Sequence, residues 1–126
     1  MKFKLTSEFI VVYGITLFRI EAIADFGDVK KGDEGGFIEK EENLSQDGEA
    51  WVYSEARVFG KARVYDHARV FGNAWAFGNA RVFGNARVYG NAWISENARV
   101  FGEAQACGNA WISGNARVSG LFKIIS

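Results

Sequence analysis

Residues Ala80-Arg81-Val82-Phe83-Gly84-Asn85 and Ala86-Arg87-Val88-Tyr89-Gly90-Asn91 are one six-residue phrase written twice. The phrase extends in both directions. Alanine stands at 50, 56, 62, 68, 74, 80, 86, 92, 98, 104, 110 and 116, twelve times at an unbroken period of six. Two residues after each alanine comes Val, Ile or Ala. Two further on comes Gly, replaced only by Ser54, Asp66 and Glu96. In an extended chain, residues two apart point to the same side. Ala and Val therefore share one side, and the residue after each points to the other. Gly-Asn is a turn pair, since both residues tolerate positive φ at low cost. A period of 3.6 cannot hold a strict six-residue register, which excludes a helical reading. Each hexad is thus one short strand and one corner. Three hexads close an eighteen-residue triangle, and stacked triangles form a parallel β-helix whose narrow interior is filled by Ala and Val and leaves no room for large side chains.

Ile38 and Leu44 keep the alanine phase, so the repeat is expected to begin near Phe37. Residues 37–120 then hold fourteen hexads, or four to five triangular coils. At about 4.8 Å per coil the prism is roughly 22 Å long. Residues 1–36 are expected to form a small N-terminal β cap and a connecting loop. Phe9 to Tyr13 and Ile15 to Ile23 read as strands around a turn at Gly14, and residues 27–36 read as the loop. Residues 121–126 form an apolar tail. Leu121, Phe122, Ile124 and Ile125 are expected to fold over the last coil or to bury in a second subunit. Solenoid ends expose unpaired backbone and need such covering.

The repeat resembles the hexapeptide-repeat family. Val82 and Ala86 fill that family's aliphatic and small slots, while Phe83 stands where its glycine is common. The resemblance implies an all-β, left-handed parallel β-helix. More narrowly, the Gly-Asn-Ala-Arg-Val-Phe/Tyr runs, with Asp25-Phe26-Gly27-Asp28-Val29 and Gly35-Gly36-Phe37-Ile38-Glu39, look like uncharacterised proteins of phages and prophages. That resemblance implies a phage-type protein acting in the host cytoplasm.

Composition narrows the function. The 126 residues carry 15 Lys plus Arg and 15 Asp plus Glu. A neutral balance gives no general steering toward nucleic acid or an acidic membrane, and little protection against self-association. One cysteine, Cys107, excludes an intrachain disulfide framework. No stretch approaches the ~20 apolar residues of a spanning helix, and no secretory signal is visible, so a cytoplasmic location is expected.

Sorting the outward residues by eighteen gives three faces. After each alanine, the first carries Trp51, Arg69, Arg87 and Gln105. The second carries Arg57, Trp75, Trp93 and Trp111, and the third carries Arg63, Arg81, Arg99 and Arg117. The outward slot after each valine is mostly aromatic and thins out toward the C-terminal coils. On the third face it reads Tyr65, Phe83, Phe101 and Ser119. Outward aromatic area on this scale marks an interface or a binding groove, or else stacked packing that stiffens the prism. Like charges about 4.8 Å apart repel. The four arginines are therefore expected to lay their guanidinium planes over Tyr65, Phe83 and Phe101, or to form a strip for phosphates or an acidic partner surface.

Catalytic signals are thin. The hexapeptide resemblance brings two enzyme types to mind. A carbonic-anhydrase type needs three zinc-binding histidines, and this chain has one. The acyltransferases of that family use a histidine base near a loop that leaves the coil. His67 sits in a corner slot that other hexads fill with Asn, and no insertion interrupts residues 50–120. It is expected to replace one rung of an asparagine ladder. Cys107, in an outward slot, reads as an inert small residue. No metal or cofactor is expected. The leading expectation is a non-enzymatic protein that binds a protein partner or itself through Trp75, Trp93, Trp111 and the aromatic and arginine columns. The alternatives are a phage anti-defence protein that sequesters a nucleotide-like ligand and a degenerate acyltransferase.

Overall fold

The computed structural model describes residues 1–121 and 123–125. The chain is an all-β parallel solenoid of about 5 turns, consistent with a left-handed β-helix. Each repeat strand is two or three residues long, and the strands stack into three sheets. One sheet carries Arg57, Trp75, Trp93 and Trp111 in register. A second carries Trp51, Arg69, Arg87, Gln105 and Lys123. The third carries Arg63, Arg81, Arg99 and Arg117. These are the three faces expected from the eighteen-residue sort. Successive coils are joined by backbone hydrogen bonds. The Arg63 N–H donates to the Ala80 carbonyl and the Arg81 N–H to the Ala98 carbonyl, each at 3.0 Å.

The inward columns are filled as the repeat requires. The first eleven alanines of the series are 0–1% exposed, as are Val52, Val58, Val64, Val70, Val82 and Val88. Burying each valine contributes about 1.5–3 kcal/mol. Ala116, in the last coil, is exposed.

The N-terminal segment joins this solenoid through a shared sheet. Strand β1 (Phe3–Val12) and strand β2 (Ile15–Ala22) form an antiparallel hairpin. Its two-residue loop, Tyr13-Gly14, has φ of 50° and 78°, the primed-turn geometry that matches strand twist. Strand β3 (Glu34–Ile38) pairs antiparallel with β2 and parallel with the Arg57–Val58 strand. β3 begins inside the stretch expected to be loop. It joins the hairpin to four rungs of the solenoid in one seven-stranded sheet.

The first coil departs from the expected register. Ile38 pairs with Val58 and Leu44 bridges Val64, an offset of twenty residues. Both therefore occupy valine slots, not the alanine slots that their phase implied. The alanine column has no room for them, and two extra residues between Leu44 and Ala50 absorb the difference. Gly36 takes the small slot above Ala56, where an added Cβ would lie 2.5 Å from the Ala56 carbonyl oxygen.

Those extra residues also close the end of the prism. Gln46 Oε1 accepts from the backbone N–H of Lys2 (2.7 Å) and of Phe3 (3.1 Å). Side-chain donors also cover backbone carbonyls near this end. Lys2 Nζ donates to Ala50 O at 2.8 Å, and Arg19 Nη1 donates to Gly35 O at 2.7 Å and Ser54 O at 3.0 Å. Asn43, in a 3-10 turn at Glu41–Asn43, donates to Ala62 O at 2.9 Å and Gly60 O at 3.2 Å. At the other end Ile124 packs against the core. Lys123–Ile125 adds one more parallel rung beneath Gln105–Cys107, with Leu121 and Ile125 exposed. Phe122 lies outside the described residues.

At the corners glycine carries the positive φ and the following Asn does not, whereas Ser54, Asp66 and Glu96 adopt φ of 53–61° in the glycine slot. Gly84 (φ +65°) and Gly114 (φ +64°) have the same backbone, but a Cβ on Gly84 would lie 2.8 Å from the Gly102 nitrogen while one on Gly114 meets nothing within 4 Å. Gly114→Ala should cost about 1 kcal/mol for its left-handed backbone alone. Gly84→Ala should cost at least about twice that in urea unfolding, because the next coil must also move. Equal costs would contradict corners stacked this closely.

The end cap also predicts a pH dependence. Lys2 is 5% exposed, and burial pushes its ammonium down from 10.5 to about 8 despite the nearby Asp47 and Glu49. Burial, with a 3.0 Å hydrogen bond to Asp28, pushes the Tyr53 hydroxyl up from 10.0 to about 12. Between pH 8 and 10 the unfolded chain holds a Lys2 proton that the folded chain has released, so stability should rise with pH. Between pH 10 and 12 the folded chain keeps a Tyr53 proton that the unfolded chain has lost, so stability should fall. Denaturant midpoints of Lys2→Met should lose the rise, and those of Tyr53→Phe should lose the fall.

Candidate functional site

The second face is an aromatic wall. Trp75 and Trp93 stack at 4.9 Å with 9° between ring planes, and Trp111 meets Trp93 edge-on at 5.7 Å. Stacking follows from register: three tryptophans in one column stand one coil apart, so rings of neighbouring coils are in contact. Above them the column alternates cation and ring. Arg19 lies over Phe37 at 4.2 Å, and Arg57 lies over Trp75 at 5.3 Å. Arg57 Nε is buried without a hydrogen-bond partner, so the ring faces are its compensation. Phe59 and Phe77 stack alongside at 5.2 Å. Ser95 then replaces the aromatic, and it accepts a 2.9 Å hydrogen bond from Trp111 Nε1. This bond accounts for one place where the aromatics thin out. Exposure along the column is uneven: Trp75 and Trp93 are half-buried, while Trp111 is 65% exposed. The hairpin turn contributes Tyr13, 79% exposed and 6.0 Å from Trp75, which sequence spacing did not place on this wall.

The third face differs from its expected form. Tyr65, Phe83 and Phe101 stack on one another at 4.9 Å with 1–3° between planes. The faces they turn toward one another are thus taken. Among the described residues no guanidinium of Arg63, Arg81, Arg99 or Arg117 lies over a ring, and none forms an ion pair. Two grooves flank these arginines. One, of about 540 Å³, is lined by Lys40, Lys61, Arg63, Arg81 and Arg99, with Asn79 and Asn97 at the corner. The other, of about 520 Å³, runs from Arg63 and Arg81 across Tyr65 to Ser45 and Glu41. Glu42 borders both.

His67 is 57% exposed, and its Nδ1 lies 3.6 Å from Glu49 Oε1, in the next coil up. With Arg69, Asn85 and Arg87 the pair borders an open depression of about 290 Å³. His67 therefore sits in the corner column expected of it. Asparagines hydrogen-bond along the other two corner columns, Asn79 to Asn97 at 3.2 Å and Asn91 to Asn109 at 3.4 Å. Cys107 is buried. Asp25 caps the loop by accepting from the Lys31 N–H, while Asp28 binds the Tyr53 hydroxyl and pairs with Arg69 at 3.9 Å. Among the described residues no group of three or more His, Cys, Asp or Glu is placed to hold a metal ion. No helix there is long and apolar enough to cross a membrane.

With this geometry in place, the comparisons fall on the repeat. The family model described as the YdcK beta solenoid repeat matches residues 62–76, 77–90 and 80–96. The chain is also 44% identical over 41 residues to the uncharacterized acetyltransferase YdcK of Escherichia coli (strain K12). That stretch is 32% of this chain and 13% of that protein, so the chain spans only a small part of its relative. Both matches support a hexapeptide-like repeat solenoid.

Proposed function

We propose that this protein is a non-enzymatic binding module of phage type. Its tryptophan wall engages a host protein or a second copy of the chain in the cytoplasm. One observation carries the reading: Trp75, Trp93 and Trp111 share one column, and Trp111 is a large ring 65% exposed on a three-sheet scaffold. Rings at 4.9–5.7 Å along the column, with Tyr13 beside them, make a continuous apolar strip. Such strips are covered in complexes, and Trp is enriched among the residues that dominate interface energies. The neutral net charge puts no long-range repulsion in the way of self-association. The phage assignment is supported by the resemblance of the Gly-Asn-Ala-Arg-Val runs, with residues 25–29 and 35–39, to phage and prophage proteins.

The similarity to a relative named as an acetyltransferase favours a second reading, acyl transfer with His67 as base and Glu49 orienting it. The open setting of that pair favours the first, since general bases work best where water is excluded. Sedimentation of the full chain, and its retention of a host protein, separate the two. Trp111→Ala and Trp93→Ala should each weaken association by about 2 kcal/mol or more while leaving the fold intact by circular dichroism. His67→Ala should leave association unchanged. A chain that stays monomeric, retains no protein, and transfers acetyl groups from acetyl-coenzyme A in a His67-dependent way would overturn the first reading in favour of the second.

A further inference from the structure

The aromatic column of the third face lacks its top rung. Phe101, Phe83 and Tyr65 stack upward at 4.9 Å per coil. In the next coil up, the Ser45 N–H donates to Val64 O (3.0 Å), just as the Tyr65 N–H donates to Val82 O (3.1 Å). Ser45 therefore holds the slot directly above Tyr65, and its side chain is a single hydroxymethyl group. The groove of about 520 Å³ lies in that place, with Tyr65 as its floor and Arg63 and Arg81 along its side. Through the same two arginines it meets the groove of about 540 Å³, where five cationic side chains face one carboxylate, that of Glu42.

We propose that these joined grooves bind a nucleoside phosphate. Its flat ring completes the column on Tyr65, and its phosphates lie along Arg63, Arg81 and Lys61. Three features select that class. A ring of any base offers a face for stacking on Tyr65. The arginines have no ring or carboxylate partner of their own among the described residues, so their forks are free for phosphate oxygens. Glu41 stands at the ring end and Glu42 borders both grooves, where carboxylates accept from amino and hydroxyl groups of a nucleoside and repel a purely anionic ligand. Glu41 is held by Gln46 Nε2 at 2.9 Å. This site is separate from the tryptophan wall and does not depend on the role proposed for it.

Calorimetric titration of the full chain with ATP, adenosine and tripolyphosphate tests the assignment. ATP should bind more than tenfold tighter than either part, with affinity falling as salt is raised. Ser45→Tyr fills the vacant rung from within the chain. It should lower ATP affinity at least tenfold without lowering thermal stability. Arg81→Ala and Tyr65→Ala should each weaken ATP about tenfold, and Trp111→Ala should leave it unchanged. Tripolyphosphate binding as tightly as ATP, ATP binding unaffected by Ser45→Tyr, or no binding by ATP would each overturn the proposal.

Discussion

Parallel coils joined by backbone hydrogen bonds stand about 4.8 Å apart, and that spacing governs the side chains of the solenoid. Inside, three strands of one coil face each other across a triangle so small that only Ala and short branched residues fit. The sequence obeys this for eleven consecutive hexads, with alanines 0–1% exposed. Outside, the same spacing places identical residues in contact one above another. A tryptophan repeated every eighteen residues becomes a stack, and an arginine repeated every eighteen residues becomes a line of like charges.

The two outward columns respond differently to that geometry. Aromatic rings gain by stacking, so Tyr65, Phe83 and Phe101 satisfy each other at 4.9 Å. In doing so they withdraw their faces from the arginines beside them. Guanidinium groups gain nothing from neighbours of the same sign, and the column Arg63, Arg81, Arg99, Arg117 is left turned toward solvent and its two grooves. On the second face a cation does find rings, because Arg57 interrupts an aromatic column and sits against Trp75. An outward arginine is thus paired where its own column supplies a ring, as Phe37 does for Arg19 and Trp75 for Arg57.

Much of this was legible from spacing alone. Period six gave the strands, and period eighteen gave all three faces with the correct residues on each. The hairpin turn at Gly14 was also readable. What spacing does not reveal is where the period breaks. The phase of Ile38 and Leu44 pointed to alanine slots, but their bulk places them in valine slots, and two extra residues before Ala50 absorb the shift. That slip seats Gln46 against Phe3 and Ser45 above Tyr65, neither visible without the register. Competition between ring–ring and ring–cation contacts was equally hidden, since both pairings place the same residues side by side. Tyr13 reaches Trp75 only because the hairpin joins the same sheet as the tryptophans.

A narrow interior filled by small side chains is the claim on which the rest stands, and adjacent positions of one hexad test it most directly. Ala86 is wholly buried and Arg87 is exposed. Urea unfolding of Ala86→Leu and Arg87→Leu puts the same side chain on opposite sides of one strand. Ala86→Leu should lose about 1–3 kcal/mol or more from overpacking, while Arg87→Leu should stay within about 0.5 kcal/mol of the parent. A leucine tolerated equally at both positions would contradict the account.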